Sequence, residues 1–252
     1  MGEIRMKDVI NLDITFPVLN EEKRIEKGVV NTIEFLNANS IHNYVITIAD
    51  NGSQDGTELI SKKLIKKYGE RIRYIKLNQR GVGLALISSW RNSDKNIVGY
   101  MDIDLSTDIT HLTEVLDLFR APGTDIVNGS RLSKGAQVKN RKLLREVSSR
   151  TYNFLLRKIF AGRLRDYTCG FKFFKREVAI DLLDKYDLEN GWFFVSQILI
   201  YAEKGDYSIT ELPVRWEDEP DGSTINVKKL TVYYLKEMLK LKKKLNSISR
   251  KG

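Results

Sequence analysis

The first half of the chain alternates short apolar runs with longer amphipathic segments. In the first amphipathic segment, apolar residues recur near helical spacing at Ile25, Val29, Ile33 and Leu36. The pattern predicts strands at residues 10–18, 44–49, 72–77, 97–101 and 125–128, and helices at residues 21–37, 55–68, 83–93 and 111–119. Strands that alternate with helices form a mostly parallel sheet with helices on both faces, so we expect an α/β fold.

Polar clusters interrupt this pattern where three of the predicted strands end. They begin at Asn20, Asp50 and Asp102. Ligands of open parallel sheets bind at the carboxyl ends of the strands. We therefore expect the functional site at this edge of the sheet, built from residues 20–22, 50–55 and 102–108.

The second half of the chain is more basic and its pattern is less regular. It predicts helices at residues 141–160, 192–202 and 227–245, and strands at residues 171–174 and 209–216. In the last helix, apolar and aromatic residues can share one broad face, namely Leu230, Tyr233, Tyr234, Met238 and Leu241. The simplest organisation is one domain at residues 1–216, followed by a C-terminal loop and a basic amphipathic helix at residues 217–252.

The composition fits a globular protein with a polyanionic partner. Of the 252 residues 42% are hydrophobic, and 42 Lys and Arg against 33 Asp and Glu give a net charge of +9. This charge suits nucleic acid, an anionic membrane or a phosphorylated substrate without choosing among them. A single cysteine, Cys169, excludes an intramolecular disulfide and fits a reducing, cytoplasmic compartment. We expect neither a secretory signal nor a membrane span, because no apolar stretch is long enough.

An acidic pair stands where the fourth predicted strand ends. Asp102 and Asp104 are two residues apart, and such residues of a strand point to the same side. The two carboxylates would repel each other there, and a divalent cation such as Mg²⁺ or Mn²⁺ would relieve the repulsion. The cation could then stabilise a diphosphate leaving group. Taken alone, so short a pattern also fits a solvated strand end with two acids.

Two further turns carry candidate chemistry. Residues 50–57 combine glycines, acids and an amide, which suits hydrogen bonds to a base or ribose but also an ordinary strand-to-helix turn. The glycine-rich turn at residues 79–83 precedes a helix and could admit a phosphate at the helix N-terminus. It lacks the G-x-G-x-x-G pattern and the Lys-Ser/Thr ending of a P-loop, which excludes the common dinucleotide and ATP sites.

Taken in order, these segments resemble the motifs of the family 2 glycosyltransferases, which have the GT-A fold. The chain is most similar to the dolichyl-phosphate mannose synthases and dolichyl-phosphate glucosyltransferases of that family. The matching segments are Phe16-Pro17-Val18-Leu19-Asn20-Glu21-Glu22, residues 50–57, Asp102-Ile103-Asp104, Asn128-Gly129-Ser130-Arg131, and residues 166–172, 211–216 and 221–223. The chain departs from the family at Val82 and Thr224, where relatives often carry Lys, and at Gln197, where Glu is common.

The resemblance implies a donor site, a metal site and an acceptor site. Donor-binding residues would be Pro17, Asn20, Glu21, Asp50, Asn51, Ser53, Asp55, Arg80, Gly81, Asp102, Ile103 and Arg131. Asp102 and Asp104 would hold a divalent metal, Mg²⁺ or Mn²⁺, and Asp104 and Arg131 would act in catalysis. The candidates for an acceptor phosphate are Arg141, Arg145 and Ser223, beside Arg131.

The implied reaction is an inverting transfer of glucose or mannose from UDP-glucose or GDP-mannose to a polyprenyl (dolichyl) phosphate. A phosphate acceptor is already anionic and needs no general base, whereas a sugar hydroxyl would need one. The predicted helix at residues 192–202 offers no acid before Glu203, which favours the phosphate. A hydroxyl acceptor in glycan assembly is the alternative.

The basic segments at residues 141–160 and 227–245 are candidates for peripheral contact with an anionic membrane, at its cytoplasmic face. Alternatively, their apolar residues pack on the core while the lysines face water. A basic nucleic-acid-binding module is a further alternative on charge alone, but neither zinc-finger spacing nor an aromatic RNA-binding motif supports it. We therefore expect a nucleotide sugar and a lipid phosphate as partners, and no nucleic acid.

Overall fold

The computed structural model describes residues 10–218 and 227–248. The strands are β1 (Leu12–Val18), β2 (Tyr44–Asp50), β3 (Ile72–Lys76), β4 (Ile97–Met101), β5 (Ile126–Ser130), β6 (Gln137–Lys139), β7 (Phe171–Lys175), β8 (Ile209–Pro213) and β9 (Arg215–Glu217). The helices are α1 (Ile25–Ala38), α2 (Thr57–Tyr68), α3 (Val82–Arg91), α4 (His111–Arg120), α5 (Leu143–Phe160), α6 (Arg176–Lys185), α7 (Phe194–Lys204) and α8 (Val227–Ile248).

Seven strands form one sheet in the order β3-β2-β1-β4-β7-β5-β8. All neighbours are parallel except that β7 runs antiparallel to β4 and β5, so the prediction of a mostly parallel sheet is confirmed. The segments that follow β1, β2, β4 and β5 therefore leave the sheet at the same edge. The start of β7 lies there too, because Phe171 pairs with Met101 at the end of β4.

Helices cover both faces of this sheet, as predicted. Side chains of β4 alternate between the faces, since Ile97 and Met101 belong to one apolar core and Val98 and Tyr100 to the other. The first core is covered by α1, α2 and α4, and the second by α3, α5, α6, α7 and α8. Residues 194–202 of α7 are all buried, which fits a helix that is apolar on every side.

Several elements of the second half differ from the sequence prediction, and one of them is the short strand β6, which was not predicted. The helix α6 occupies a segment for which no helix was predicted, although Val178 and Leu182 are buried at helical spacing. The strand predicted at residues 209–216 is two strands, β8 and β9, which belong to different sheets. The break falls at Val214, whose amide donates to the carbonyl oxygen of Ser130. A continuous apolar run cannot show where a chain changes its pairing partner.

A small second sheet closes over the carboxyl end of β4. β6 and β9 pair in parallel, and Thr107 forms an antiparallel bridge with Trp216. The Glu217 amide donates to the Ser106 carbonyl oxygen at 2.8 Å. The segment that follows Asp104 is therefore held by β9, which also places Trp216 beside it.

The C-terminal helix packs on the main domain. Met238 and Leu241 are buried in the same core as α7, and the Tyr234 ring lies 4.7 Å from that of Tyr152 in α5. The apolar face identified in the sequence is therefore the core face of α8, and the division at residue 216 stays a prediction. Within the described ranges, no helix is both long and apolar enough to cross a bilayer.

Candidate functional site

The end of β1 is hydrogen-bonded to the loop after β2. Asn20 donates its amide to Ser53 Oγ at 2.9 Å, and its Oδ1 accepts the Gln54 amide at 2.8 Å. Asn20 has φ 57°, a left-handed conformation that asparagine tolerates better than most residues. The structure thus brings two predicted donor residues, Asn20 and Ser53, into direct contact.

Asp55 joins the same two segments at the start of α2. Its Oδ2 accepts the Glu22 amide at 3.1 Å, and its Oδ1 accepts the amide and the hydroxyl of Thr57 at 3.0 and 2.6 Å. Desolvation opposes ionisation, but these hydrogen bonds lower the pKa of Asp55 below its usual value. Glu21 completes the connection, because its amide donates to Thr57 Oγ1 at 2.8 Å.

Asp50 is fully buried beneath this loop. Its Oδ1 accepts the Ser53 amide at 2.7 Å, and its Oδ2 accepts the Tyr74 hydroxyl at 2.7 Å. Burial and the Asp50 carboxylate together raise the pKa of Tyr74. Asp50 therefore shapes the loop through contacts within the protein, a role that the sequence motif does not reveal.

Asn51 connects three segments of the predicted donor site. Its Nδ2 donates to the Val18 carbonyl oxygen at 3.3 Å, and its Oδ1 accepts the Gly81 amide at 3.1 Å. Arg80 is exposed next to Gly81, and Pro17 is half-buried in β1. The structure thus gathers these predicted donor residues around the ends of β1 and β2.

The start of α3 is held by the segment that precedes α7. The amides of Gly83 and Leu84 donate to the carbonyl oxygens of Gly191 and Asn190 at 3.1 and 2.9 Å, respectively. These two amides are taken by protein acceptors, unlike the phosphate contact that the turn suggested in the sequence. Gln197, one of the departures from the family pattern, accepts the Glu189 amide on Oε1 at 2.7 Å and so positions this segment.

Asp102 and Asp104 lie on a tight turn at the end of β4. Asp104 Oδ1 accepts the Ser106 amide at 2.9 Å. Between the two acids, Ile103 is buried, and its carbonyl oxygen lies so close to Gly28 of α1 that a Cβ on that glycine would overlap it. The turn that carries the two predicted metal ligands therefore packs closely against α1.

The acidic turn concentrates negative charge in a partly desolvated place. Burial, followed by the charge of Asp104, raises the pKa of Asp102 to about 7, although Arg131 and Lys172 act in the opposite direction. Burial also raises the pKa of Glu21, and Asp104 is among the charges that add to this effect. A cation at this turn would relieve the repulsion among the three carboxylates.

The two carboxylates of this turn suit a metal ion whose remaining ligands are substrate phosphates and water. In residues 10–218 and 227–248, no group of three or more His, Cys, Asp or Glu side chains is arranged to hold a metal ion. Asp102 and Asp104 offer two carboxylates, and Mg²⁺ is usually bound by one or two carboxylates with substrate phosphates and water. The residues therefore fit a divalent metal that is shared with a diphosphate.

Arg131, at the end of β5, forms a bidentate ion pair with Asp166. Its Nε donates to Oδ2 at 2.8 Å and one terminal nitrogen donates to Oδ1 at 3.0 Å, while Thr168 Oγ1 accepts a further bond at 2.8 Å. The Asp166 side chain is fully buried and that of Arg131 is 10% exposed. Burial opposes ionisation of Asp166, but the guanidinium holds its pKa well below the usual range.

The segment between Asp166 and β7 also supports the acidic turn. The Asp102 amide donates to the Gly170 carbonyl oxygen at 3.2 Å. The Asp102 carboxylate lies so close to Gly170 that a Cβ on the glycine would overlap it. Because Gly170 has no side chain, it leaves space for the Asp102 carboxylate. The family motif includes this residue, but the sequence alone does not show this role.

Lys172 is a fully buried cation near the Asp102 carboxylate and the Arg131–Asp166 ion pair. Its amine donates to the Cys169 carbonyl oxygen and lies 6.0 Å from the Tyr100 ring centroid. Burial lowers the pKa of Lys172 to about 8, against the charges of Asp166 and Asp102. The sequence analysis missed Asp166, Gly170 and Lys172 as site residues, although a lysine inside an apolar strand is itself a signal of a buried charge.

Two arginines approach the ring of Trp216. The guanidinium carbons of Arg131 and Arg141 lie 5.7 and 5.5 Å from its centroid. The Arg141 side chain is 7% exposed and donates to Glu146 at 2.7 Å, while its Nε is buried without a hydrogen-bond partner. Burial, with the charge of Arg131 next, lowers the pKa of Arg141. An anion at this position would satisfy the unpaired donor.

Of the other two acceptor candidates, the structure describes Arg145. It donates to both carboxylate oxygens of Asp218 at 2.6 Å, and its charge contributes to the lowered pKa of Arg141. Ser223 and Thr224 lie outside the described residues. Of the acceptor candidates that the structure describes, Arg131 and Arg141 share the Trp216 ring.

Comparison with known proteins places this site in a family. Residues 13–183 match the family described as Glycosyl transferase family 2. The chain is 34% identical over 220 residues to Glycosyltransferase AglD of Haloferax volcanii, covering 85% of this chain and 34% of AglD. It is 29% identical over 246 residues to a Dolichyl-phosphate beta-glucosyltransferase of Dictyostelium discoideum, covering 93% of this chain and 75% of that protein. The chain thus spans about a third of the length of AglD.

A solved structure has the same fold. It is the glucosyl-3-phosphoglycerate synthase from Mycobacterium tuberculosis in complex with Mn²⁺, uridine-diphosphate and glucosyl-3-phosphoglycerate. The TM-score is 0.64 at 19% identity, and the match covers 89% of this chain and 76% of that one. The expectation of a GT-A fold is confirmed. Since the family match extends from β1 to α6 and includes both the loop after β2 and the acidic turn, this chain belongs to glycosyltransferase family 2.

Proposed function

We propose that this protein transfers glucose from UDP-glucose to dolichyl phosphate, with inversion and with a divalent metal. The observation that carries the proposal is the proximity of two sites of opposite charge. The acids Asp102 and Asp104 suit a metal-bound diphosphate, and Arg131 and Arg141 suit a phosphate monoester. Arg131 is close enough to Asp102 for each charge to shift the pKa of the other.

The choice of sugar and acceptor is supported by a relative. The Dictyostelium discoideum protein is a dolichyl-phosphate beta-glucosyltransferase, and the alignment covers 93% of this chain. Glucose is therefore proposed ahead of mannose, and UDP-glucose ahead of GDP-mannose. The nucleoside would bind to residues 20–22 and 50–57 and to the turn at Arg80 and Gly81.

The metal would be held by Asp102 and Asp104 next to the donor diphosphate. When bound, a divalent ion stabilises the negative charge that develops on the leaving diphosphate. The protein contributes the position of the two carboxylates, which Gly28 and Gly170 allow by lacking side chains. Asp102, partly desolvated, gains most from a cation because its pKa is raised to about 7.

The acceptor phosphate would bind between Arg131 and Arg141. A phosphate monoester is anionic at neutral pH, so its oxygen needs no general base before it attacks the anomeric carbon. The only acid of α7, Glu203, accepts hydrogen bonds from the Tyr167 hydroxyl and the Arg163 amide, each at 2.6 Å. This helix therefore offers no free carboxylate to activate a sugar hydroxyl, which favours the phosphate over the alternative acceptor.

A dolichyl chain resides in a bilayer, so the enzyme would work at a membrane surface. The cytoplasmic face, inferred from the single cysteine, stays a prediction. The positive charge of the chain would serve the lipid phosphate and the anionic membrane, and not nucleic acid.

The proposal is tested by transfer of radiolabel from UDP-glucose into an organic-extractable lipid in the presence of dolichyl phosphate and Mn²⁺ or Mg²⁺. We expect Asp104→Asn to lower this transfer at least about 100-fold, because the carboxylate charge is lost while the bond from the Ser106 amide is kept. The matched control is Asp117→Asn on α4, whose side chain is 71% exposed. Label that never enters lipid but enters a water-soluble glycan would instead establish the hydroxyl acceptor. Full activity in excess EDTA would refute the requirement for a divalent metal.

A further inference from the structure

His111, the first residue of α4, is a buried histidine whose ring is hydrogen-bonded at both nitrogens. Its side chain is 3% exposed. Nδ1 lies 2.7 Å from Glu114 Oε1, and Nε2 accepts the backbone amide of Arg215 at 2.8 Å. The second bond joins residues that are 104 positions apart in the chain. The ring therefore connects α4 to the start of β9.

The Arg215 amide fixes the tautomer of this ring. A backbone N–H can only donate, so Nε2 must be the acceptor. A neutral imidazole has one donor and one acceptor nitrogen, which places the proton of His111 on Nδ1. Nδ1 then donates to Glu114, one turn further along α4, and this bond holds the ring in the orientation that faces β9.

The segment between the acidic turn and α4 pairs with the outer edge of β9. Thr107 and Trp216 form an antiparallel bridge, and next to it the Asp108 amide donates to the Arg215 carbonyl oxygen at 2.9 Å. An antiparallel ladder would continue with a second bond, from the Arg215 amide back to the Asp108 carbonyl oxygen. The chain turns into α4 at this point.

The His111 ring takes the place of that second bond. The Asp108 carbonyl oxygen accepts the His111 amide at 3.2 Å, in the turn that leads into α4. The Arg215 amide donates to His111 Nε2 instead. Because a backbone amide inside the protein needs an acceptor, the ring allows β9 to stay attached where the ladder ends.

The side chain of Arg215 adds a weaker attachment. Its guanidinium donates to Asp108 Oδ2 at 2.7 Å and to Thr110 Oγ1. This side chain is 46% exposed, so water competes for its bonds. The His111 ring is buried, and less water competes for the bond that it accepts from the amide.

The residue after Arg215 is Trp216, which contacts both proposed acceptor arginines. Its side chain is buried, and the guanidinium carbons of Arg131 and Arg141 lie 5.7 and 5.5 Å from its ring centroid. The other edge of β9 pairs with β6, which ends two residues before Arg141. The position of β9 therefore determines where the ring and both arginines lie relative to each other.

We propose that His111 is a positioning residue for the acceptor site. It anchors the Arg215 amide, this anchor fixes Trp216, and the ring of Trp216 fixes the spacing of the two arginines. The inference rests on the proposed function, because these arginines are the proposed site of the acceptor phosphate. Asp104 is held by its own bond from the Ser106 amide, so loss of the His111 ring should leave the donor side unchanged.

The first test is the tautomer of the ring. The chain has two histidines, so a His42→Gln variant leaves only the histidine signals of His111 in a ¹⁵N spectrum. In the neutral ring we expect the proton on Nδ1 and an unprotonated Nε2. A proton on Nε2 would overturn the proposal, because such a ring cannot accept the Arg215 amide.

The second test removes the acceptor nitrogen and measures glucose transfer to dolichyl phosphate. His111→Leu keeps an apolar side chain at this position but leaves the Arg215 amide without its acceptor. We expect KM for dolichyl phosphate to rise at least about fivefold, while KM for UDP-glucose and kcat stay within about twofold of the wild type. His111→Gln should restore most of this loss, because a glutamine side chain also offers an acceptor oxygen.

The matched control is Leu116→Ala, an apolar residue of the same helix that is 2% exposed. It should lower the melting temperature through lost packing and leave both KM values unchanged. If His111→Leu and Leu116→Ala change the kinetics in the same way, His111 serves stability alone and the proposal is overturned. The same conclusion follows if His111→Gln is no better than His111→Leu.

Hydrogen exchange and ligand binding separate this inference from the proposed function. Amide exchange in residues 209–217 should be faster in His111→Leu and unchanged in Leu116→Ala. Binding of a short, water-soluble prenyl phosphate, measured by calorimetry, should weaken at least about fivefold in His111→Leu. If these two results hold but the wild type transfers no glucose to dolichyl phosphate, the proposed function fails and the positioning role stands. Unchanged exchange and binding in His111→Leu would overturn the inference even in an active enzyme.

Discussion

Gly170→Ala should disable the proposed metal site through a single methyl group. The new Cβ would lie 2.6 Å from Asp102 Oδ1 and closer still to Oδ2, whereas real Cβ contacts almost never fall below 3.0 Å. The backbone of Gly170 is not among the positive-φ positions, so alanine adds no backbone strain there. The relief must come from the carboxylate, which has to turn away by on the order of 1 Å, and a misplacement of this size can cost about 100-fold in rate.

The assay for Gly170→Ala combines glucose transfer with titration of Mn²⁺ in the presence of UDP. We expect transfer to fall about 100-fold and the Mn²⁺ affinity to fall with it, while the melting temperature changes little. Asp102→Ala is the partner in a double-mutant cycle, because without the carboxylate the methyl group has nothing to displace. Gly170→Ala should therefore have no further effect on Mn²⁺ affinity in that background. Wild-type transfer and Mn²⁺ affinity in the single variant would refute the reasoning.

Three further substitutions test the supports of the site. Asp166→Asn should lower the free energy of unfolding by about 3 kcal/mol, because it leaves Arg131 buried without its counter-charge. Since the pKa of Asp166 is lowered, urea denaturation should show this difference at pH above 3.8 and its loss only as the pH falls well below that value. Gln197→Ala should weaken UDP binding about fivefold in calorimetry, because the Glu189 amide loses its acceptor; unchanged affinity would show that this segment does not support the donor site. Trp216→Leu should raise KM for dolichyl phosphate about tenfold, since two arginines lose the ring that they approach, and an equal rise in KM for UDP-glucose would contradict this assignment.

Most of the fold could be predicted because hydrophobic periodicity reports burial directly. The strand β4 begins and ends where the pattern placed it, and its neighbours β1 and β2 differ by a residue or two. The helix α1 begins at Ile25 and not at residue 21, and the amides of Glu21 and Glu22 donate to the side chains of Thr57 and Asp55. These contacts join residues more than thirty positions apart, which a local pattern cannot contain.

The sequence names candidate site residues but does not show what they contact. The sequence motif around Asp50 indicates a nucleoside contact. In the structure, however, both carboxylate oxygens of Asp50 accept hydrogen bonds from groups of the protein itself. Arg145 reads as a free cation on a basic helix, yet Asp218 pairs with it across 73 positions of the chain. In both cases the residue type is compatible with either a ligand or a protein partner, and only the spatial neighbours decide between them.

The direction of β7 explains why the sequence pattern did not place residues 166–172 at the site. Ligand-binding segments were expected after strands, because parallel strands end at the same edge. β7 runs antiparallel, so the segment that precedes it lies at this edge. That segment holds Arg131 through Asp166 and gives Asp102 its room at Gly170, and Lys172 follows between them as a buried cation. A single reversed strand thus connects the acidic turn to the arginine site, so a change in residues 166–172 should affect the donor and acceptor steps together.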